Sequence, residues 1–101
     1  MKIIESKQFK DELRMIAFYI RKDKLSASID FVKKLKKNIK HLVDFPYQYK
    51  KSIYFNNDKI RDMVYMGYTI VYEINTEKDT LELLSIFNQN LPDFKSSYHD
   101  N

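Results

Sequence analysis

Cysteine is absent from the 101 residues, glycine occurs once and proline twice. Without cysteine there is no disulfide framework and no thiolate metal site, so a domain this small draws its stability from packing or from a partner. A reducing, cytoplasmic setting is expected. One glycine makes close-backbone phosphate cradles hardly attainable, and the sequence contains no glycine-rich phosphate loop, no paired-His metal motif and no nucleophile elbow. The two histidines, His41 and His99, stand beside no second ligand type in the sequence, so neither a metal nor a cofactor is expected. Long uncharged apolar runs are missing as well. The opening stretch Met1 to Ser6 is broken by charge, and neither a signal peptide nor a membrane span is expected.

What is present is the makeup of a folded chain. Apolar residues form 44%, aromatics 15% and charged residues 32%, which excludes a disordered or fibrous polymer. The length suits one domain with one modest core, read as residues 1–94 followed by a polar tail over 95–101. Charge is spread unevenly. Residues 1–51 carry fourteen Lys or Arg against six Asp or Glu, a net of +8, and residues 52–101 carry four against eight, a net of −4. Such a dipole suits a polyanionic partner, nucleic acid or an acidic protein segment; a solvated lysine face is the plainer account.

The hydrophobic pattern gives the order β-α-α-β-β-β-β. Lys2 to Glu5 reads as a short strand, and Ser6 can cap a helix from about Lys7 to Arg21. Its stripe is Phe9, Leu13, Ile16, Ala17 and Ile20, broadened by Phe18 and Tyr19. Asp23 is positioned to cap a second helix with the stripe Leu25, Ile29, Val32, Leu35, Ile39, Leu42 and Val43, which Pro46 ends. A link of two or three residues makes the pair an antiparallel hairpin. Strands follow at Tyr49 to Phe55, Ile60 to Tyr65, Tyr68 to Ile74 and Thr80 to Phe87, with turns at Asn56-Asn57-Asp58, Met66-Gly67 and Asn75 to Asp79. The last strand is apolar on both faces near its end, as a central or helix-covered strand would be. This is an α+β fold in two layers, the helical hairpin packed on a twisted, mostly antiparallel sheet.

Two groups of side chains could carry function. Lys33, Lys34, Lys36, Lys37 and Lys40 fill the positions that the second helix's stripe leaves open, where a solvated helix back accounts for them. Around the sheet stand Lys50 and Lys51, then Lys59 and Arg61, with Tyr54, Tyr65, Tyr68 and Tyr72. Cations beside aromatic faces can hold a phosphate backbone and stack a base, and tyrosines in so small a fold also serve as packing. Arg61 has a plain alternative in pairing with Asp58 or Asp62. Met63 and Met66 suit packing or a groove edge.

The ordered combination of a helical hairpin ending Leu42-Val43-Asp44-Phe45-Pro46, then Arg61, then Gly67-Tyr68-Thr69-Ile70-Val71-Tyr72-Glu73-Ile74, then Leu81 to Phe87 and the exit Asn88-Gln89-Asn90-Leu91-Pro92 resembles the toxins of the RelE/ParE superfamily. The resemblance covers roughly residues 2–94. It implies the toxin of a type II toxin–antitoxin pair, neutralised by a cognate antitoxin whose otherwise disordered, amphipathic segment lies in a groove between hairpin and sheet. RelE-type members cut messenger RNA on the ribosome, which requires a group to activate the ribose 2′-hydroxyl, cations for the phosphate and an acid for the leaving oxygen. Their pattern carries Arg after the Gly-Tyr pair and a basic or titrating group after the last strand. Here Thr69 and Asn88-Gln89-Asn90 occupy those places, so the resemblance leans towards ParE-type members, which poison DNA gyrase. On that reading Lys50, Lys51, Lys59, Arg61, Asn88, Gln89 and Asn90 face the target. As a nuclease, Lys50, Lys51 and Arg61 would hold phosphate while Tyr65 or Tyr98 stacks or transfers a proton. A fold that has lost toxicity and survives as an antitoxin-binding module is the third reading.

Overall fold

Ser6 begins the helical part of the chain because its side chain has two partners at once. In the computed structural model, which describes residues 1–88, its Oγ accepts the Phe9 N–H at 3.0 Å as the N-cap of α1 (Lys7–Asp23). The same hydroxyl donates to the Leu84 carbonyl at 3.0 Å. Lys24 alone separates α1 from α2 (Leu25–His41), and so short a link turns the helices antiparallel. Asp23, expected to cap α2, is instead the last residue of α1. Lys24 takes the N-cap position without a side-chain bond. Its extended backbone closes α1 through its N–H to Ile20 and opens α2 through its carbonyl to Ser28, so no cap side chain is needed.

The strands β1 (Lys2–Glu5), β2 (Ile60–Tyr65), β3 (Tyr68–Asn75) and β4 (Thr80–Asn88) form one sheet in the order β1-β4-β3-β2. β1 runs parallel to β4; the other pairs are antiparallel. The two-layer α+β arrangement is the expected one, and the last strand is central, as its apolar faces imply. The segment Tyr49 to Phe55, expected as a further strand, makes only a single bridge between Lys51 and Arg61. The cause is local. The Ser52 N–H reaches the Ile60 carbonyl, but the next two amides go to side chains, Ile53 to Asp62 Oδ2 and Tyr54 to Ser52 Oγ, both at 3.1 Å. Side-chain acceptors of this kind compete with a ladder and bend the chain out of it.

The helices bury Phe9, Leu13, Phe31, Leu35 and Ile39 against Met63, Tyr65, Ile70, Tyr72, Ile74, Leu81, Leu83 and Ile86. Phe31 meets Tyr65 and Tyr68 edge to face, with ring centroids 5.3 and 5.2 Å apart. Phe18, Tyr19, Leu25 and Ile29, assigned above to the buried stripes, are exposed; Ser28 and Phe31 take the inner positions of α2. Ile60 and Val71 are buried yet stand apart from this core. Strand alternation puts them on the opposite face of the sheet, where Tyr54 packs edge-on against Phe87 at 5.3 Å.

Two irregularities are matched by side chains. At the β3–β4 register shift Val71 pairs with Ser85 and Tyr72 with Leu83, leaving Leu84 as the extra residue. Ser6 Oγ satisfies the Leu84 carbonyl, and Glu12 Oε1 accepts both the Ser85 hydroxyl at 2.7 Å and the Ile86 N–H at 3.0 Å. The β2–β3 turn has positive φ at Met66 (49°) and Gly67 (83°), the pair of left-handed residues that a two-residue hairpin turn requires.

Because Ser6 caps α1 and also holds the bulge, Ser6→Ala is expected to cost about 1–2 kcal/mol. Thermal denaturation checks this, with a drop of several degrees expected for a domain of this size; an unchanged midpoint would mean that solvent replaces both bonds.

Candidate functional site

A groove runs along the seam of the two helices on the side away from the core. Leu13, Ala17, Ser28 and Val32 lie at its base, with Met15, Phe18 and Ile29 beside them. Ser28 closes the seam by donating its hydroxyl to the Ala17 carbonyl at 2.7 Å. Lys10, Arg14 and Arg21 flank it from α1 and Lys33, Lys36, Lys37 and Lys40 from α2, against one carboxylate, Glu5. Of these cations only Arg14 has an ion pair among the described residues, with Asp11 at 2.8 Å. Arg21 and Lys22 lie over the Phe18 ring at 5.5 and 5.2 Å, which holds an exposed aromatic side chain in place. An apolar base between two rows of cations, of which Arg14 alone is ion-paired among the described residues, fits an amphipathic helix rich in carboxylates.

The sequence places such a groove between hairpin and sheet, where the structure has a depression lined by Ile20, Ala27 and Phe31 of the helices and Met66 of the β2–β3 turn; the cationic depressions follow the hairpin's outer seam. Helical spacing assigns Phe18 and Ile29 to the buried stripes, and they stand exposed at this seam. The available signal was a second helical face, Arg14-Phe18-Arg21 and Ile29-Lys33-Lys36-Lys40, out of phase with Phe31-Leu35-Ile39.

At the sheet, Arg61 has become a rivet. Its Nε donates to the Asp58 carbonyl at 3.1 Å, its Nη1 to the Tyr49 carbonyl at 3.0 Å, and its guanidinium lies 5.0 Å from the Tyr47 ring centre. It forms no ion pair with Asp58 or Asp62. The Asp58 carboxylate pairs with Lys51 Nζ at 2.9 Å, and that hydrogen bond holds the carboxyl below its usual range. Lys50 and Lys59 are exposed, with Lys59 Nζ at 3.5 Å from the Tyr47 hydroxyl.

The tyrosines divide. Tyr65 is buried, its hydroxyl donating to the Phe31 carbonyl at 3.1 Å. Tyr72 is fully buried and donates to the Pro46 carbonyl at 2.7 Å. Burial pushes both hydroxyls up, Tyr72 far above the ordinary tyrosine range, so both stay protonated at neutral pH. Tyr65 would have to leave the core to stack on a base. Thr69 is buried too, and Asn88 ends β4 at the surface. Gln89, Asn90, Tyr98 and the tail lie outside the described residues. Among the described residues no group of three or more His, Cys, Asp or Glu is placed to hold a metal ion, and no helix is long and apolar enough to cross a membrane.

Comparison with known proteins supplies the context. The family model described as the ParE toxin of the type II toxin–antitoxin system parDE matches residues 3–90. No curated protein matches the chain. Among solved structures, the isolated E. coli RelE toxin aligns with 98% of this chain and 95% of its own at 17% identity and a TM-score of 0.64. A doubly substituted E. coli RelE in complex with a peptide of the antitoxin RelBc aligns over 96% and 92% at 17% identity and a TM-score of 0.66. The intact E. coli RelBE toxin–antitoxin complex aligns over 85% and 97% at 15% identity and a TM-score of 0.55. At such identities the likeness establishes the fold.

Proposed function

The chain belongs to the ParE toxin family of type II toxin–antitoxin systems, and from that premise we propose that it arrests growth by binding DNA gyrase rather than by cutting RNA. The observation that carries this is the commitment to the fold of three of the five candidate nuclease groups, Lys50 being exposed and Tyr98 lying outside the described residues. Arg61 is tied to two main-chain carbonyls and an aromatic ring, Lys51 to Asp58, and Tyr65 to the Phe31 carbonyl inside the core. RNA cleavage asks for a group that moves a proton and for cations free to take up phosphate charge. Side chains already bonded elsewhere are poor at both.

Neutralisation follows from the helical seam. An antitoxin segment with apolar residues towards Ala17, Val32 and Ile29, and carboxylates towards the two cationic rows, satisfies both halves of the groove. Such a segment folds as it binds, and burying that apolar strip offsets the ordering entropy.

The likeness to RelE structures supports the ribosome-dependent nuclease as the competing reading. One preparation separates the two: the purified chain is added to a translating extract, message ends are mapped, and gyrase supercoiling is assayed in parallel. Inhibited supercoiling with intact message is expected. Codon-phased cuts that disappear in Arg61→Ala would overturn the gyrase reading, and silence in both assays with folded protein would leave an antitoxin-binding module.

A further inference from the structure

We propose that Ile53, Tyr54 and Phe55, together with Val64 and Phe87, form the surface on which this chain docks its target, a protein that meets it with an apolar depression edged by carboxylates. The inference rests on the reading of the chain as a toxin that acts by binding.

Ile53 is 82% exposed, Val64 54%, Tyr54 47% and Phe55 46%. Register and loop contacts bring Ile53, Tyr54, Val64 and Phe87 to one face, and Phe55 follows Tyr54 directly in the chain. Asp62 and Val64 share one face of β2, and Asp62 Oδ2 holds the Ile53 amide; Val64 pairs with Thr69, Thr69 with Phe87, and Phe87 carries the Tyr54 ring. An apolar cluster of this kind on the face that no helix covers is the composition of an interaction site.

The loop is built rather than slack. It has no regular secondary structure, yet Ser52 bonds to Ile60, the Ile53 and Tyr54 amides are held by Asp62 and Ser52, and the Ile60 amide returns to the Asn57 carbonyl. A surface fixed before the partner arrives loses little conformational freedom on docking.

Charge names the partner's rim. Residues 45–62 contain Lys50, Lys51, Lys59 and Arg61 against two carboxylates, Asp58, which Lys51 engages, and Asp62, whose Oδ2 is taken by the Ile53 amide. Lys50 and Lys59 stay available at the surface, so the partner's complement is acidic. Single-stranded RNA would use the same cations, but the two most exposed members are aliphatic. Ile53 and Val64 offer no ring on which a base can stack, and they fill an apolar depression well. None of these residues lines the seam between the helices, so docking and neutralisation can be separated by mutation.

The test uses the full chain in three forms: wild type, Ile53→Ser with Phe55→Ser, and Met66→Asn as an exposed apolar control in the β2–β3 turn. Survival after induction is scored, gyrase binding is measured with the purified holoenzyme, and circular dichroism establishes that each form is folded. The double variant is expected to raise survival at least tenfold and weaken gyrase binding at least tenfold, while Met66→Asn behaves as wild type. Val64→Ser alone should give a smaller change of the same sign. A folded double variant as toxic as wild type overturns the proposal and leaves the gyrase reading standing. Wild type that arrests growth without binding gyrase ends the gyrase reading, and loss of arrest in the double variant then still supports the loop. Wild type that does not arrest growth removes both. If wild type binds a single-stranded RNA oligonucleotide and the double variant does not, the occupant is nucleic acid and the proposal falls.

Discussion

Replacing Lys33, Lys36 and Lys40 together by Glu is expected to weaken binding of the cognate antitoxin about a hundredfold, close to 3 kcal/mol. Each reversal removes an attraction and adds a repulsion, and pairs at an exposed rim are worth about 1 kcal/mol or less apiece. The three side chains flank the same stretch of groove, so their effects act on one segment of the partner. They lie on the exposed face of α2 and contribute nothing to the core, so the fold should survive. Titration calorimetry at two salt concentrations checks the claim. Wild-type affinity should fall as salt rises, because exposed charges are screened beyond about 8 Å at physiological ionic strength, and the triple variant should respond less. In cells the variant should be toxic even with the antitoxin expressed. Unchanged affinity would place the antitoxin elsewhere, with the seam's lysines left as a solvated helix back.

Arg61→Ala is expected to destabilise the chain by about 2–3 kcal/mol, which for a domain of this length lowers the melting midpoint by roughly 10 °C or more. Both carbonyls it holds, at Tyr49 and Asp58, belong to the segment between α2 and β2, and the Tyr47 ring loses its cation. Lysine should not rescue it, since a single ammonium cannot present the fork that spans two carbonyls and stacks on a ring. Arg61→Lys should therefore melt near Arg61→Ala. A midpoint unmoved by either substitution, with toxicity gone, would return Arg61 to direct contact with the target.

Sequence reading succeeded where one physical cause dominates. Helical spacing and the Ser6 cap located both helices, and β-branched and aromatic runs located β2, β3 and β4. It failed where two causes compete. Tyr49 to Phe55 has strand composition, but Ser52 and Asp62 supply acceptors that take the Ile53 and Tyr54 amides, and no propensity scale weighs an acceptor on another segment. Asp23 looks like a cap because of its type, whereas the one-residue link through Lys24 makes a cap unnecessary. The candidate site was half visible. The sequence singles out the lysines of α2 and Lys50, Lys51, Lys59 and Arg61, but not Ile53 or Phe55, and it reads Phe18 and Ile29 as core because apolar periodicity does not say which of two faces meets the sheet. That Arg61 would face carbonyls rather than Asp58 or Asp62 depends on the fold of the loop, which appears only in three dimensions.

The parallel pairing of β1 with β4 also bears on synthesis. Lys2 is partnered by Thr80 and Glu5 by Leu83, so the strand made first waits for the strand made last. At about 5–20 residues per second the ribosome takes about 4–16 seconds to cover that separation. Meanwhile both helices have emerged, but Leu81, Leu83 and Ile86, which share the core with Phe9 and Leu35, have not. The nascent chain therefore presents the residues of the hairpin and its cationic seam before it holds a finished sheet. With the seam as the proposed docking strip, an antitoxin already present at that moment meets its binding residues before the sheet is complete, so the order of the strands sets a head start for the inhibitor.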